Sequence, residues 1–205
     1  MTDLEHRLRA VPAAGPDIDS ARLGEALSRR AAAEHLLDVA YGELDSPLGR
    51  LTVFVTPAGL LRIDYDNDPL DQALDEITTR VSPRILRSAA ATDGARRELD
   101  EYFAGRRHAF ETPVDWRLIR GFASGVLRAT ARVPFGQVTT YRRVATEAGS
   151  PRGARAAGNA LGSNPIPIVV PCHRVLHADG GLGGYSGGLD RKRFLLRLEG
   201  VLPGS

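Results

Sequence analysis

The 205-residue chain predicts two parts, a small N-terminal α/β domain and a mostly α C-terminal domain that carries a helix-turn-helix and an active-site cysteine. Three observations predict this. Apolar residues alternate between Val39 and Tyr65 but recur at helical spacing beyond Phe122. The formal charge of +2 divides near Trp116, with 14 basic and 21 acidic residues before it and 13 basic against 4 acidic from it onward. The only cysteine, Cys172, adjoins one of only five histidines, His173. A single cysteine excludes an internal disulfide and suits a reducing compartment. The polar, acidic start Met1-Thr2-Asp3-Leu4-Glu5 and the lack of a long apolar run predict a cytoplasmic protein without signal peptide or anchor.

Taken in order, residues 1 to 38 read as a helical extension broken between Pro12 and Pro16, with Leu4, Leu8 and Val11 and then Leu23, Leu27 and Ala31 at helical spacing. Residues 39 to 115 form the α/β domain. The runs Val39-Tyr41-Glu43, Leu51-Val53-Val55 and Leu60-Ile63-Tyr65 predict an antiparallel meander joined by turns at Ser46-Pro47-Leu48-Gly49 and Pro57-Ala58-Gly59. A helix from Pro69 to Val81, a strand at Ile85 to Leu86 and a helix from Thr92 to Phe103 follow, and nothing in this domain looks chemical. Residues 116 to 205 are the basic body. A helix from Phe122 to Arg132 precedes a threonine-capped helix closed by Gly149 and a second helix from Arg152 to Leu161. Two short helices joined by a glycine-containing turn suit DNA binding, and equally a plain packing unit. Basic surface favours a polyanion partner; the alternative is solubilising charge.

The run Ile168-Val169-Val170 reads as a short buried strand that Pro171 ends, delivering Cys172 at a cleft. A thiolate is the nucleophile, and an imidazole is one of few groups able to take its proton near neutral pH. A free cysteine is also often a small buried hydrophobe, and neighbouring side chains diverge, so direct contact between Cys172 and His173 needs a bridging water or a tight turn. A metal site from Cys172, His173 and His177 lacks further ligands, and no metal or cofactor is expected. Six glycines between Gly180 and Gly188 predict a loop whose backbone approaches a ligand, with Tyr185 and Ser186 offering hydroxyls. The last helix, Leu189 to Leu198, ends at Glu199, an acid placed against the helix dipole and so suggestive of a partner.

The run Asn164-Pro165-Ile166-Pro167-Ile168-Val169-Val170-Pro171-Cys172-His173-Arg174-Val175, with Gly184-Tyr185-Ser186-Gly187-Gly188 and Leu195-Leu196-Arg197-Leu198-Glu199-Gly200, resembles the O6-alkylguanine-DNA alkyltransferases, the methylated-DNA–protein-cysteine methyltransferases. The resemblance spans Val39 to Gly200 and is densest from Val133. It implies a ribonuclease-H-like α/β domain ahead of the DNA-binding one. It also implies that Cys172 accepts an alkyl group, that His173 deprotonates it through a water, and that Glu199 orients His173. Asn164 then links the helix pair to the cysteine segment. Tyr141, Tyr185 and Ser186 bind the extruded base, Tyr141 also protonates the leaving purine, and backbone groups of Cys172 and Val175 read the base edge. Arg155 enters the duplex in place of the flipped nucleotide, beside Ala154 and Arg152 on the DNA-facing helix.

The implied partner is double-stranded DNA with alkylated bases, met mainly from the minor groove by a monomer, with neither cofactor nor membrane. The implied activity is a single-turnover transfer from O6 of guanine, and from O4 of thymine, to Cys172. Two departures stand out: Ala123 and Leu127 occupy positions where the family usually has glutamine and tryptophan, and these read as packing changes. Rival classes are a non-catalytic damage sensor, which the presence of Cys172 disfavours, a helix-turn-helix regulator, and a cysteine hydrolase.

Overall fold

The computed structural model describes residues 36–203, together with Gly24, Ala26, Arg30 and Glu34. Of the helical extension expected over residues 1 to 38, Gly24, Ala26 and Arg30 are described and helical, and the helix expected before Pro12 lies outside the described residues.

Alternating apolar residues build β1 (Val39–Ser46), β2 (Gly49–Thr56) and β3 (Gly59–Tyr65). β1 and β2 are antiparallel with Ala40 opposite Val55 and Ser46 opposite Gly49, and β2 and β3 are antiparallel with a bulge at Phe54/Val55. The first turn is tight because the Ser46 hydroxyl accepts from Leu48 N–H at 3.1 Å and donates to the Gly49 carbonyl at 2.6 Å. Gly49 has φ 97°, which a side chain adopts only with strain.

The helix α1 (Leu70–Arg80) begins after Pro69, has Asp71 in its first turn and Arg80 in its last, and buries Ala73 and Ile77. It returns the chain to β4 (Ile85–Arg87), which lies parallel to β1. The sheet order is therefore β3-β2-β1-β4, a meander with one crossover strand added. Ser88 caps α2 (Ala89–Phe103), three residues earlier than the expected start at Thr92. This helix lies on the sheet so closely that a Cβ at Gly42 would stand 2.4 Å from the Thr92 hydroxyl oxygen.

Beyond α2 the chain runs back along the sheet. Leu60 N–H donates to Pro113 O at 2.7 Å and Asp115 N–H to Leu60 O at 2.8 Å, while the Asp115 carboxylate caps the 3-10 turn Trp116–Leu118. The C-terminal helices are α3 (Gly121–Ala131), α4 (Tyr141–Glu147), α5 (Ala154–Gly162) and α6 (Leu189–Leu198). Thr140 caps α4, accepting from Arg143 N–H at 3.3 Å, and Gly149 at φ 85° ends the turn that follows it. Ala123 and Leu127 lie on α3, Leu127 fully buried and Ala123 packed beside it. β5 (Thr139–Thr140) and β6 (Val175–Leu176) form a two-residue parallel pair that the sequence reading lacked. One continuous apolar core joins both parts, from Val39 and Phe54 through Leu127 to Leu195.

Candidate active site

The segment before the cysteine is not a strand. Pro165, Pro167 and Pro171 cannot donate to a ladder, so the backbone curls into turns, with Val170 N–H donating to Ile166 O at 2.9 Å and Cys172 N–H to Val170 O at 2.8 Å. Ile168 sits at φ 73°, a costly conformation for a β-branched residue, held because its side chain is fully buried. Asn164 is the spool of this turn. Its amide nitrogen donates to Val170 O at 2.8 Å and to Cys172 Sγ at 3.2 Å, and its oxygen accepts from Ile166 N–H at 3.1 Å. Cys172 then opens a 3-10 turn, Cys172–Arg174, with only 4% of its surface exposed.

His173 is fully buried. Its Nε2 lies 2.9 Å from Glu199 Oε1, whereas its buried Nδ1 has no hydrogen-bond partner among the described residues. Glu199 caps the end of α6. It also accepts from Arg174 Nε at 2.9 Å, Arg174 Nη2 at 2.8 Å and the Tyr102 hydroxyl at 2.6 Å. Burial works to raise the Glu199 pKa, but the His173 and Arg174 bonds prevail and hold it at about 2. As a carboxylate it can only accept, so Nε2 of His173 carries the proton and Nδ1 keeps its lone pair. Burial lowers the His173 pKa against the pull of Glu199, keeping the ring a neutral base. Burial raises the Cys172 pKa, partly offset by Asn164 and the nearby Lys192.

A cleft of about 630 Å³ opens over the sulfur, lined by Tyr141, Ala154, Arg155, Cys172, Tyr185 and Ser186 among others. Tyr141 opens α4 and faces the cleft across His177, their rings 5.1 Å apart. Arg155 and Ala154 border it from α5. The expected residues thus separate into two layers. His173 and Glu199 stand behind the cysteine and do not line the cleft, while Asn164 lines an adjoining cavity together with Ser186. Arg152 is exposed in the turn before α5, outside the cleft lining. Val175 is fully buried, with its carbonyl accepting from Lys192 Nζ at 2.8 Å and its N–H donating to Cys172 O. Both of its backbone groups already have partners.

Four contributors escaped the sequence reading. Lys192, the only lysine, is buried with Nζ on the carbonyls of Val175, Leu182 and Gly184, so it ties the glycine loop to the cysteine turn. Burial lowers its pKa to about 8. A lone lysine among 26 arginines was the available signal, because three convergent carbonyls suit a compact ammonium better than a planar fork. Arg174 and Tyr102 complete the Glu199 cluster, and Tyr65 meets Tyr185 with their hydroxyl oxygens 2.7 Å apart. Tyr65 and Tyr102 come from the N-terminal part, which therefore does contact the site. The signal for Tyr102 was a phenol on the buried face of α2, where its hydroxyl needs a partner.

Two family models match: 6-O-methylguanine DNA methyltransferase, ribonuclease-like domain, over residues 39–116, and 6-O-methylguanine DNA methyltransferase, DNA binding domain, over residues 121–201. The methylated-DNA–protein-cysteine methyltransferase of Mycobacterium tuberculosis is 40% identical over 161 residues, covering 78% of this chain and 91% of the relative. That of Methanosarcina barkeri is 35% identical over 164 residues, covering 78% and 96%. The crystal structure of Mycobacterium tuberculosis OGT in complex with DNA is similar with a TM-score of 0.66 and 38% identity, covering 78% of this chain and 92% of that one. With a cysteine set before an oriented imidazole, on a fold shared with these relatives, the chain belongs to the 6-O-methylguanine DNA methyltransferase family.

Proposed function

We propose that this protein repairs DNA by direct reversal, moving a methyl or other small alkyl group from O6 of guanine, and from O4 of thymine, onto Cys172. The observation that carries the reading is the Cys172 sulfur at the floor of the cleft with the His173–Glu199 pair behind it. The thiol proton passes through a water to His173 Nδ1, and the Glu199 carboxylate stabilises the imidazolium that forms. The thiolate attacks the alkyl carbon, the carbon–oxygen bond breaks, and its electron pair stays with the purine. Tyr141 protonates the purine, and the proton held by His173 restores the balance. A thioether has no route back to a thiol here, so each molecule acts once.

A stacked base cannot present its alkyl carbon in line with the sulfur, so the nucleotide must leave the duplex. Tyr141, Tyr185 and Ser186 receive it, with the second lone pairs of the Cys172 and Val175 carbonyls at its edge. Arg155 fills the gap in the duplex, with Ala154 and Arg152 beside it. Asn164 couples α5 to the cysteine turn. The protein acts as a cytoplasmic monomer, approaching from the minor groove and holding mostly phosphates. In this reading residues 39–115 are the supporting α/β domain, residues 116–205 the DNA-binding and transfer domain, and residues 1–38 an extension.

The test is intact mass and peptide mapping after incubation with a duplex containing O6-methylguanine. One methylene added per molecule, on the peptide holding Cys172, is expected. Cys172→Ala should bind the lesion and gain nothing; full alkylation of that variant would refute the assignment.

A further inference from the structure

We infer that Tyr65, at the end of β3, is a positioning residue of the substrate cleft whose hydroxyl sets the direction of the Tyr185 hydroxyl. The inference rests on the alkyl-transfer reading of that cleft. Tyr65 is 4% exposed and does not line the cleft; it stands behind Tyr185, with the rings edge-on at 6.4 Å and the two hydroxyl oxygens 2.7 Å apart. Among the described residues the Tyr65 hydroxyl has no other hydrogen-bond partner.

A phenylalanine would fill the same space, so the hydroxyl needs its own reason. Two phenols 2.7 Å apart share one bridging proton, and the other proton must point elsewhere. When Tyr65 donates, the Tyr185 proton is free to face the cleft; when Tyr65 accepts, Tyr185 offers the cleft only a lone pair. Tyr65 thus decides what Tyr185 presents to a bound base. Donors aimed in advance at a reacting group act without reorganisation cost, which makes such control effective.

Tyr65 is held as a fixed reference rather than a loose wall. Its backbone N–H donates to Asp68 Oδ2 at 2.9 Å, and the Arg191 guanidinium lies over its ring at 4.4 Å. Arg191 in turn bonds Leu48 O at 3.0 Å, Asn67 Oδ1 at 2.7 Å, Asp66 Oδ1 at 2.5 Å and Gly187 O at 3.0 Å, tying β3's end to the loop that carries Tyr185. The loop passes between the two rings only because residue 187 is glycine: a Cβ there would lie 2.6 Å from the Tyr65 ring and 3.0 Å from the Tyr185 ring. Two residues earlier on β3, Ile63 N–H donates to Pro165 O at 2.9 Å, so the same strand also braces the cysteine segment.

Single-turnover alkylation by a duplex containing O6-methylguanine, measured against DNA concentration, tests this. For Tyr65→Phe the limiting rate should fall about three- to tenfold, the range of one net hydrogen bond, while the half-saturating DNA concentration stays unchanged. Tyr185→Phe should fall at least as far. Because Tyr65 acts through Tyr185, the double variant should be no slower than Tyr185→Phe alone. A wild-type limiting rate for Tyr65→Phe, or losses that multiply in the double variant, would overturn the inference. Wild-type protein that forms no thioether at Cys172 would instead overturn the transfer reading, and this inference with it.

Discussion

Glu199 is the residue on which the buried hydrogen bonds behind the cysteine converge. Four donor groups from Tyr102, His173 and Arg174 meet its two oxygens, and its side chain is fully buried. Neutralising it strands the Arg174 charge, so Glu199→Gln should cost about 3–5 kcal/mol of stability as well as slow transfer severalfold. The pH dependence has a definite sign. A carboxyl held at about 2 in the fold and at its ordinary 4.5 when unfolded binds fewer protons in the folded state between those values. Its stabilisation is therefore complete above pH 4.5 and lost as the pH falls towards 2. Urea unfolding across that range should show a shallower pH slope for Glu199→Gln than for wild type. Parallel slopes would mean that Glu199 does not carry the shift.

At the scale of elements, the glycine loop and the helices respond oppositely to the same methyl group. Gly183 has φ 66°, and a Cβ on it would stand 2.3 Å from the Tyr141 hydroxyl oxygen. Gly183→Ala should therefore displace the cleft wall, slowing transfer about tenfold with a stability loss of about 1–3 kcal/mol. Gly94, inside α2, has nothing within 4 Å of its would-be Cβ. Gly94→Ala should raise stability by about 0.5–1 kcal/mol and leave the transfer rate alone, as melting and single-turnover assays would show. The elements were legible for the same local reasons. Period-two runs located β1 to β3, and a capping threonine and Gly149 bracketed α4. Ile168–Val170 misled because a short apolar run has no period of its own, and its prolines decided for turns. Cys172 and His173 stood out as the one cysteine beside a histidine and Glu199 as an acid set against the helix dipole, while their arrangement as a relay came from the resemblance. Tyr102 and Tyr65 were not, since they meet their partners across 97 and 120 residues, a distance that periodicity cannot see.

For the whole molecule the governing feature is charge. Arg142, Arg152 and Arg155 are exposed on or beside the helix pair and have no ion-pair partner among the described residues. If each of them, with Arg143, displaces one counterion, the logarithm of DNA affinity should fall against the logarithm of salt with a slope of about −3 to −4. Arg155→Ala should make that slope shallower by about one on undamaged duplex. An unchanged slope would place Arg155 away from the phosphates. The near-complete burial of Cys172 has a different consequence, concerning shelf life. A reagent that works once is wasted by any accidental encounter, and a sulfur that is 4% exposed, with its pKa raised by burial, offers little thiolate to dissolved oxidants or electrophiles. The protein can wait in the cell unspent, its one reaction kept for a group delivered through the cleft.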